Sequence, residues 1–373
     1  MEGTMDAVCY HAVRFPSLTH FPNPKLITNH LLTKTSGSQP RELDIVTVPI
    51  PQINDDQVLI QVTCCGICGT DQHLAEGEFI GRFPLIPGHE IVGVISQVGG
   101  AVTGFSVGDR VVADNTILCD ACFYCRRGQY VLCENFESLG VTMAGGFAGY
   151  VAIQSKKVYN IFNLTDEEAT LIEPASCAIH GLDKLDPPVG AEVLIFGAGP
   201  TGLILAQLLK LNGASKVVIA ANKGPKTAIA RSLDAGDVYV ELPRDDPEAA
   251  QAQLDALNGR VQEGFDVVIE ATGSEKIAND AINFVRRGGS LMIYGVYANS
   301  DVVHWSPAKI FQDEIKIVGS FAQTHCFPRA VAYLDSGKIK VKGMVTDVFS
   351  IREFDQALEK MKSKTACKVA LRP

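Results

Sequence analysis

Hydrophobic residues form short, β-rich runs in the first half of the chain. Between residues 44 and 161 these runs include 58–63, 91–98 and 110–113, and Gly and Asp turns separate them. Short runs bounded by turn residues are typical of strands. This half is therefore predicted to form a compact, mostly antiparallel barrel.

The pattern changes near residue 187 and becomes an alternation of strands and helices. An apolar strand is predicted at 192–196, an amphipathic helix at 200–211 and a second apolar strand at 216–220. The same order returns with a strand at 265–270, a helix at 274–284 and a strand at 290–294. Such alternation predicts a parallel sheet with helices on both faces.

The last part of the chain, after Gly319, returns to mixed structure, with helices predicted near 328–336 and 351–362. This tail is too short for a further hydrophobic core, so we expect it to rejoin the first domain. The predicted domains are residues 1–186 together with 320–373, and residues 187–319. Residues 15–42 are polar and lack periodicity, which predicts an inserted surface loop.

The composition excludes several classes of function. The chain has 373 residues, of which 46% are hydrophobic and 20% charged, as in an ordinary globular protein of two domains. The net charge of −9 and the lack of a long Lys/Arg block argue against a nucleic-acid partner. No apolar run is long enough to span a membrane, so no membrane association is expected. Eleven cysteines without a secretory signal indicate reduced thiols and metal ligands, hence a cytoplasmic protein.

Four cysteines within a short segment form the most specific motif of the chain: Cys119, Cys122, Cys125 and Cys133. Thiolates at this spacing converge on a tetrahedral ion with Zn–S distances near ~2.3 Å, and four of them leave no position open for a substrate. The motif therefore predicts a structural zinc site. An iron–sulfur cluster usually has other spacings, and a disulfide pair needs an oxidising compartment.

A glycine-rich segment joins the predicted strand at 192–196 to the predicted helix at 200–211. Glycines in this context allow a tight turn and the close approach of a pyrophosphate to the helix N-terminus. We therefore predict a dinucleotide-binding loop rather than a structural glycine turn. The candidate cofactor contacts in this loop are Gly197, Gly199, Pro200, Thr201 and Gly202.

The residues after the second strand of this region bear on the choice of cofactor. A fold specific for NAD has an Asp or Glu there that binds the ribose 2′-hydroxyl. This chain has Asn222 and Lys223 instead, followed by Lys226. An ammonium group attracts a 2′-phosphate, so we predict a preference for NADP. Alternatively, both lysines are solvated surface charges and the protein does not discriminate between the cofactors.

A second set of metal-ligand residues lies outside the cysteine motif. Cys68 follows the predicted strand at 58–63, the pair His89 and Glu90 opens the next strand, and Glu173 precedes a proline. One thiolate, one imidazole and carboxylates form a catalytic zinc set that leaves one position for water or substrate. The segment that carries Cys68, Thr70 and His73 is interpreted as a loop.

These motifs together resemble those of the zinc-dependent medium-chain alcohol dehydrogenase family. The resemblance covers residues 5–373 apart from the insertion at 15–42, and it rests on five motifs in the family's order. They are Cys68-Gly-Thr70-Asp71, Gly88-His89-Glu90, the cysteine quartet, Ile172-Glu173-Pro174 and the glycine loop. The implied α/β fold is a GroES-like β-rich catalytic domain joined to a Rossmann domain with a doubly wound parallel sheet.

The resemblance also implies roles for individual residues. Cys68 and His89 are expected to bind zinc together with either Glu90 or Glu173, which gives two zinc ions per chain with the cysteine quartet. Thr70 and His73 match the family's proton relay, although His73 is alternatively a polar loop residue. Further candidate cofactor contacts are Thr272, Gly295, Val296, Ser320, Phe321 and Ala322. A homo-oligomer, dimeric or tetrameric, is expected by analogy.

The substrate is predicted from the branch of the family that the chain resembles most, the polyol dehydrogenases. Sorbitol dehydrogenases often have Arg-Tyr where this chain has Ala322 and Gln323, which argues against sorbitol itself. Gln323 and His325 are candidates to bind a shorter polyol, or they touch no substrate. The leading hypothesis is oxidation of D-arabinitol to a ketose with NADP. The alternatives are another secondary alcohol, threonine or an aldose with NAD, and a non-catalytic NADPH-binding protein.

Overall fold

The computed structural model describes residues 3–11, 42–77, 80–260 and 263–373, which form two compact units. The first unit comprises Met1–Glu173, Val345–Ser363 and Lys368–Pro373, and the second comprises Pro174–Met344 and Lys364–Cys367. The surface loop predicted at 15–42 lies outside the described residues, except that Glu42 begins a strand.

The strands carry most of the architecture in both units. In chain order they are β1 (Thr4–His11), β2 (Glu42–Pro49), β3 (Gln57–Ile67), β4 (Glu90–Val98), β5 (Arg110–Ala113), β6 (Thr116–Ile117), β7 (Glu137–Ser138), β8 (Tyr150–Gln154), β9 (Val158–Asn160), β10 (Glu192–Phe196), β11 (Lys216–Asn222), β12 (Val238–Leu242), β13 (Phe265–Glu270), β14 (Val285–Ile293), β15 (Lys316–Gly319), β16 (Val345–Ser350) and β17 (Lys368–Arg372).

The helices connect these strands. They are α1 (Gly69–Ala75), α2 (Asp166–Ala169), α3 (Ile172–Leu185), α4 (Pro200–Leu211), α5 (Pro225–Ser232), α6 (Pro247–Arg260), α7 (Glu275–Ala281), α8 (Pro307–Gln312), α9 (Phe327–Asp335) and α10 (Phe354–Lys362). Short 3-10 turns cover Cys125–Arg127, Tyr130–Leu132, Ser155–Lys157, Ile282–Phe284 and Ile351–Glu353.

The first unit is built on a seven-stranded sheet in the order β16-β17-β3-β4-β5-β9, with β8 also paired to β3. All pairs are antiparallel except β16 with β17. Val58, Leu59 and Ile60 of β3 are completely buried, so this strand lies at the centre of the core. The predicted mostly antiparallel, β-rich half is confirmed.

Two neighbouring strand ends of this sheet carry the residues of the predicted catalytic zinc set. β3 ends at Ile67, immediately before Cys68, and β4 begins at Glu90, immediately after His89. The antiparallel register pairs Gly66 with Glu90, so these two ends meet. The sequence interpretation of a loop after β3 is wrong, because α1 begins there and carries both Thr70 and His73. The seven-residue helix has few apolar positions, so its periodicity was too weak to detect.

The second unit contains a six-stranded, fully parallel sheet in the order β12-β11-β10-β13-β14-β15. This is the strand order of a doubly wound dinucleotide-binding fold. From β10 the chain adds strands first on one side and then, beginning with β13, on the other, so the order of strands reverses between β10 and β13. Leu194, Phe196, Val268 and Leu291 are almost completely buried, as expected for strands covered on both faces. The predicted parallel sheet is confirmed.

The two units do not coincide with the domain bounds expected from the sequence. The first boundary falls within α3 rather than at 186/187, and residues 320–344 belong to the second unit. Hydrogen bonds explain the second difference. The buried amide of Gln207 on α4 donates to Lys340 O at 3.0 Å and accepts from Lys340 N at 2.8 Å. Polar contacts of this kind have no signature in the hydrophobic pattern.

Substitution of Phe354 tests whether the C-terminal segment packs into the core of the first unit. Its ring is 1% exposed and lies 6.0 Å from the ring of Tyr10 and 5.3 Å from that of Phe147. Phe354→Ala is expected to lower the free energy of unfolding by about 3–5 kcal/mol in urea titrations, because it leaves a cavity. Phe162→Ala, at a ring that is 75% exposed, is the control and should change stability by no more than about 0.5 kcal/mol. Equal effects of the two substitutions would contradict this packing.

Candidate active site and dinucleotide-binding edge

The structure brings Cys68, His89 and Glu90 together in the first unit. Their ligand atoms all lie within 4.8 Å of one another, and His89 and Glu90 are buried. Cys68 is partly exposed. A thiolate, an imidazole and a carboxylate at this separation fit the ligand set of a catalytic zinc ion.

Asp71 supports this cluster and was not identified as a functional residue from the sequence. Its carboxylate is fully buried; Oδ2 accepts the Cys68 N–H at 2.8 Å and Oδ1 lies 3.9 Å from His89 Nδ1. Burial raises the pKa of Asp71. The charge of His89 lowers it, but the pKa remains above its usual value. A carboxylate behind a metal-binding histidine orients the ring. Its position three residues after Cys68, where it caps α1, was the available signal.

Lys368 is a second functional candidate that the sequence did not indicate. It begins β17, and its ammonium lies 2.5 Å from Glu90 Oε1, with both side chains almost completely buried. Burial lowers the pKa of Lys368, but the charges of Glu90, Cys68 and Glu173 and the hydrogen bond to Glu90 together raise it. Gly66 leaves room for the pair, because a Cβ there would overlap the Glu90 carboxylate. A lysine at the start of an apolar strand was the available sequence signal.

The remaining residues of the predicted catalytic set surround this cluster. Glu173, the second residue of α3, is 9% exposed and does not belong to the described group whose ligand atoms lie within 4.8 Å. Its charge nevertheless raises the pKa of both His89 and Lys368. Thr70 Oγ1 lies 3.7 Å from Cys68 Sγ, and His73 follows three residues later on the same helix. Residues at this spacing share a helix face.

The four cysteines of the quartet also converge. Cys133 Sγ lies 3.4 Å from Cys119 Sγ and 4.0 Å from Cys122 Sγ, too far for a disulfide and close to the roughly 3.8 Å edge of a Zn–S tetrahedron. The amide of Ala121 is the main cause that lowers the pKa of Cys119 to about 6, whereas burial raises that of Cys125 to about 12. Thiolates are the metal-binding form, so the amides around Cys119 favour a bound cation.

The glycine loop lies between β10 and α4 and has the geometry of a pyrophosphate site. Gly197 has a φ of +115°, and a Cβ there would lie 2.9 Å from Ala271 O. A Cβ on Gly202 would overlap Gly197 O. Gly199 has open space where its Cβ would be and caps α4, with Pro200 and Thr201 in the first turn. Gly197 and Gly202 therefore shape the turn, while Gly199 leaves room for a ligand.

Cations gather at the end of the neighbouring strand β11. Lys223 follows Asn222 there, is exposed and donates its N–H to Leu242 O at 2.9 Å. Lys226, in the first turn of α5, is half-buried; burial lowers its pKa, and the charges of Lys364 and Arg244 add to this effect. Arg244 and Lys364 were not predicted from the sequence, because they come from separate segments.

The other predicted cofactor residues also follow strands of the second unit. Thr272 follows β13, Gly295 and Val296 follow β14, and Ser320, Phe321 and Ala322 follow β15. Carboxyl ends of adjacent parallel strands share one edge, so these residues lie along the edge that holds the glycine loop.

The segment after β15 holds the residues considered as polyol contacts. Ala322 and His325 have left-handed φ values of 47° and 60°. Gln323 is completely buried and its Oε1 accepts the Cys326 N–H at 3.3 Å. Direct contact of Gln323 or His325 with a polyol stays a prediction.

None of the helices in the described ranges is long and apolar enough to cross a bilayer.

Comparisons with known proteins agree with this geometry. The family model for the alcohol dehydrogenase GroES-like domain matches residues 54–163, and that for zinc-binding dehydrogenases matches residues 200–336. D-arabinitol dehydrogenase 1 of Uromyces fabae is 58% identical over 342 residues, which are 92% of this chain and 97% of that protein. Sorbitol dehydrogenase of Bacillus subtilis is 33% identical over 334 residues, 88% of this chain and 93% of the relative.

Solved structures share the same fold. A zinc-binding dehydrogenase of Sinorhizobium meliloti 1021, bound to NADP, superposes with a TM-score of 0.85 at 28% identity over the whole of both chains. The motifs, the two sheets and these likenesses agree: the chain belongs to the zinc-dependent medium-chain alcohol dehydrogenase family, in its polyol dehydrogenase branch, and it is an alcohol or polyol dehydrogenase.

Proposed function

We propose that this enzyme oxidises a secondary alcohol of a polyol, D-arabinitol foremost, to the ketose, with NADP as the hydride acceptor. The observation that carries the choice of substrate is the 58% identity to a D-arabinitol dehydrogenase over 92% of the chain. The cluster of Cys68, His89 and Glu90 supports catalysis rather than mere cofactor binding, because a binding protein needs no metal site with an open position.

Cys68 and His89 would hold the catalytic zinc ion, with Glu90 or Glu173 as the third ligand. Zinc at this site supplies a Lewis acid that lowers the pKa of an alcohol hydroxyl. Glu90 and Glu173 both remain candidates for the third zinc ligand. Glu90 lies within the cluster but is paired with Lys368, whereas Glu173 lies outside the described 4.8 Å group and acts on it through its charge. The carboxylate of Asp71, 3.9 Å from His89 Nδ1, would favour this orientation of the imidazole through its charge.

Thr70 and His73 would carry the alcohol proton away. The Thr70 hydroxyl lies beside the Cys68 thiol, and His73 is on the same helix face and partly exposed. A hydroxyl can accept the substrate proton while it passes its own proton on, and an imidazole can deliver that proton to solvent. The helix α1 thus offers a short path from the metal cluster to water.

The glycine loop and the cations near it would bind NADP. Gly199 leaves room for the pyrophosphate at the N-terminus of α4. Within the part of the chain that the structure describes, Lys223, Lys226, Arg244 and Lys364 form no ion pair with a carboxylate. Unpaired cations around a nucleotide site favour binding of the 2′-phosphate that distinguishes NADP from NAD. The homo-oligomeric state and the cytoplasmic location stay predictions.

A substrate panel tests the proposed reaction. Purified enzyme with its zinc is offered D-arabinitol, sorbitol, threonine and a simple secondary alcohol, and cofactor reduction is followed at 340 nm. D-arabinitol with NADP should give the highest kcat/KM, and product analysis should find a ketopentose. Faster oxidation of threonine or of the simple alcohol would assign the enzyme to the alternative substrate class, and no reduction with any of them would favour the non-catalytic binding protein.

The two metal clusters are expected to have different tasks. Cys122→Ser should reduce the zinc content from two ions per chain to one and lower the unfolding temperature, since a structural zinc ion contributes to folding. Cys68→Ser should leave a folded protein whose kcat/KM falls by more than the ~10–100-fold that loss of a supporting group costs. Metal analysis, thermal unfolding and steady-state kinetics measure these effects.

Cys177→Ser is the matched control for both cysteine substitutions, because Cys177 is partly exposed and belongs to neither cluster. It should keep two zinc ions and the activity of the parent. Abolished turnover in a Cys122→Ser protein as stable as the parent would contradict this division of tasks.

The cofactor preference depends on the cations at the end of β11. Lys223→Ala should lower kcat/KM for NADP by about 10–100-fold, which corresponds to the loss of one charge-assisted contact, and should change kcat/KM for NAD little. Lys216→Ala is the matched control, because Lys216 begins the same strand and pairs with Glu192 at 3.4 Å. A parent enzyme that prefers NAD, or an equal loss in both variants, would refute the role of Lys223.

A further inference from the structure

Glu270 is a completely buried carboxylate at the carboxyl end of β13, and the proposed reaction uses it nowhere. Its Oε1 accepts the Thr272 N–H at 2.7 Å and also the Thr272 hydroxyl. Its Oε2 accepts the Gly273 N–H at 3.2 Å and the Tyr297 hydroxyl. The two oxygens thus bind the loop after β13 and the loop after β14.

The backbone of Glu270 binds the second loop as well. Its carbonyl accepts the N–H groups of Tyr294 and Gly295, each at 2.9 Å. A Cβ on Gly295 would lie 2.7 Å from Glu270 Oε2, and a Cβ on Gly273 would overlap Val296 O. The two loops therefore touch without room for side chains, and Glu270 lies between them.

Four hydrogen-bond donors surround the Glu270 carboxylate. A buried charge is unfavourable unless it is paired or hydrogen-bonded, and here two amides and two hydroxyls surround it. Burial raises the pKa of Tyr297, and its hydrogen bond with Glu270 adds to this effect, so the phenol stays protonated and remains a donor. An apolar residue would fill this space without desolvating a charge, so the carboxylate is better explained by the arrangement it imposes.

The position of Glu270 in the sheet indicates which part of a cofactor its loops face. In this strand order a dinucleotide lies across the point between β10 and β13, with one mononucleotide on each half of the sheet. The glycine loop and Lys223 belong to the half with β10 and β11. The other half, with β13 and β14, carries Glu270, Thr272, Gly295 and Val296. These residues would therefore face the nicotinamide riboside.

We propose that Glu270 is a positioning residue, with Tyr297 as its partner, that sets the two loops against which the nicotinamide riboside binds. The inference rests on the proposed use of a nicotinamide cofactor. It adds that different residues of this chain bind the adenosine half and the nicotinamide half of the cofactor, so that one contact can be lost without the other. Loss of the Glu270 contacts should therefore weaken binding of the whole cofactor and leave binding of its adenosine half unchanged.

Two ligands separate these effects in direct binding measurements. NADPH contains both halves, whereas adenosine 2′,5′-bisphosphate contains the adenosine half alone. By calorimetric titration of the zinc-loaded protein, Glu270→Gln should raise the Kd for NADPH about 10–100-fold, and Tyr297→Phe, which removes one donor, about 3–10-fold. In both variants the Kd for adenosine 2′,5′-bisphosphate should stay within about 2-fold of the parent. If the parent binds NADH more tightly, NADH and AMP replace the two ligands.

Asp266→Asn is the matched control on the same strand. Asp266 lies at the amino end of β13, accepts the Glu192 N–H at 2.7 Å and pairs with Arg286. This variant should lose thermal stability and keep the parent's affinity for both ligands. Tyr297→Phe is the informative variant if Glu270→Gln does not fold.

Three results would overturn the inference. They are parental NADPH affinity in both Glu270→Gln and Tyr297→Phe, an equal loss for both ligands, and the same selective loss in Asp266→Asn. Each of these leaves the proposed function intact if the parent reduces its cofactor. A parent that binds no nicotinamide cofactor would overturn the proposed function together with the inference.

Discussion

The antiparallel pairing of β3 with β4 is the constraint on which the candidate metal cluster depends. It sets Gly66 opposite Glu90, so the strand end that precedes Cys68 meets the strand start that follows His89. On its other side β3 pairs with β17, which brings in Lys368 beside the Glu90 carboxylate. A shift of one residue in either pairing would turn these side chains to the opposite face of the sheet. The cluster is therefore a product of strand register as much as of residue type.

Buried carboxylates organise both candidate sites. Asp71 accepts the amide N–H of Cys68 and lies 3.9 Å from the ring of His89 in the first unit, and Glu270 joins two loops in the second. Each is completely buried, and a buried charge is tolerated only where donors or cations surround it. Such a group binds its neighbours in a single arrangement. The rigid sheets thus position reactive side chains through a few charged contacts that contribute little to packing.

Local sequence patterns predicted much of the nucleotide-binding unit. The strands Glu192–Phe196 and Phe265–Glu270 and the helix Pro200–Leu211 have the predicted bounds, because apolar runs and helix-start signals act over short distances. The helices Gly69–Ala75 and Ile172–Leu185 were missed. The first is too short for a clear period, and the second carries a proline in its first turn, where proline is tolerated but resembles a break.

By itself, the sequence determined the chemical character of the protein. Thiols, imidazole and carboxylates at metal-ligand spacing, and glycines between a strand and a helix, depend only on residue identity and distance along the chain. The tertiary structure alone decided which distant groups complete these sites. Lys368 meets a carboxylate 278 residues earlier, and Tyr297 reaches back to Glu270. These contacts exist because strand pairing brings together positions that no local pattern relates, and burial then makes each charge require its partner.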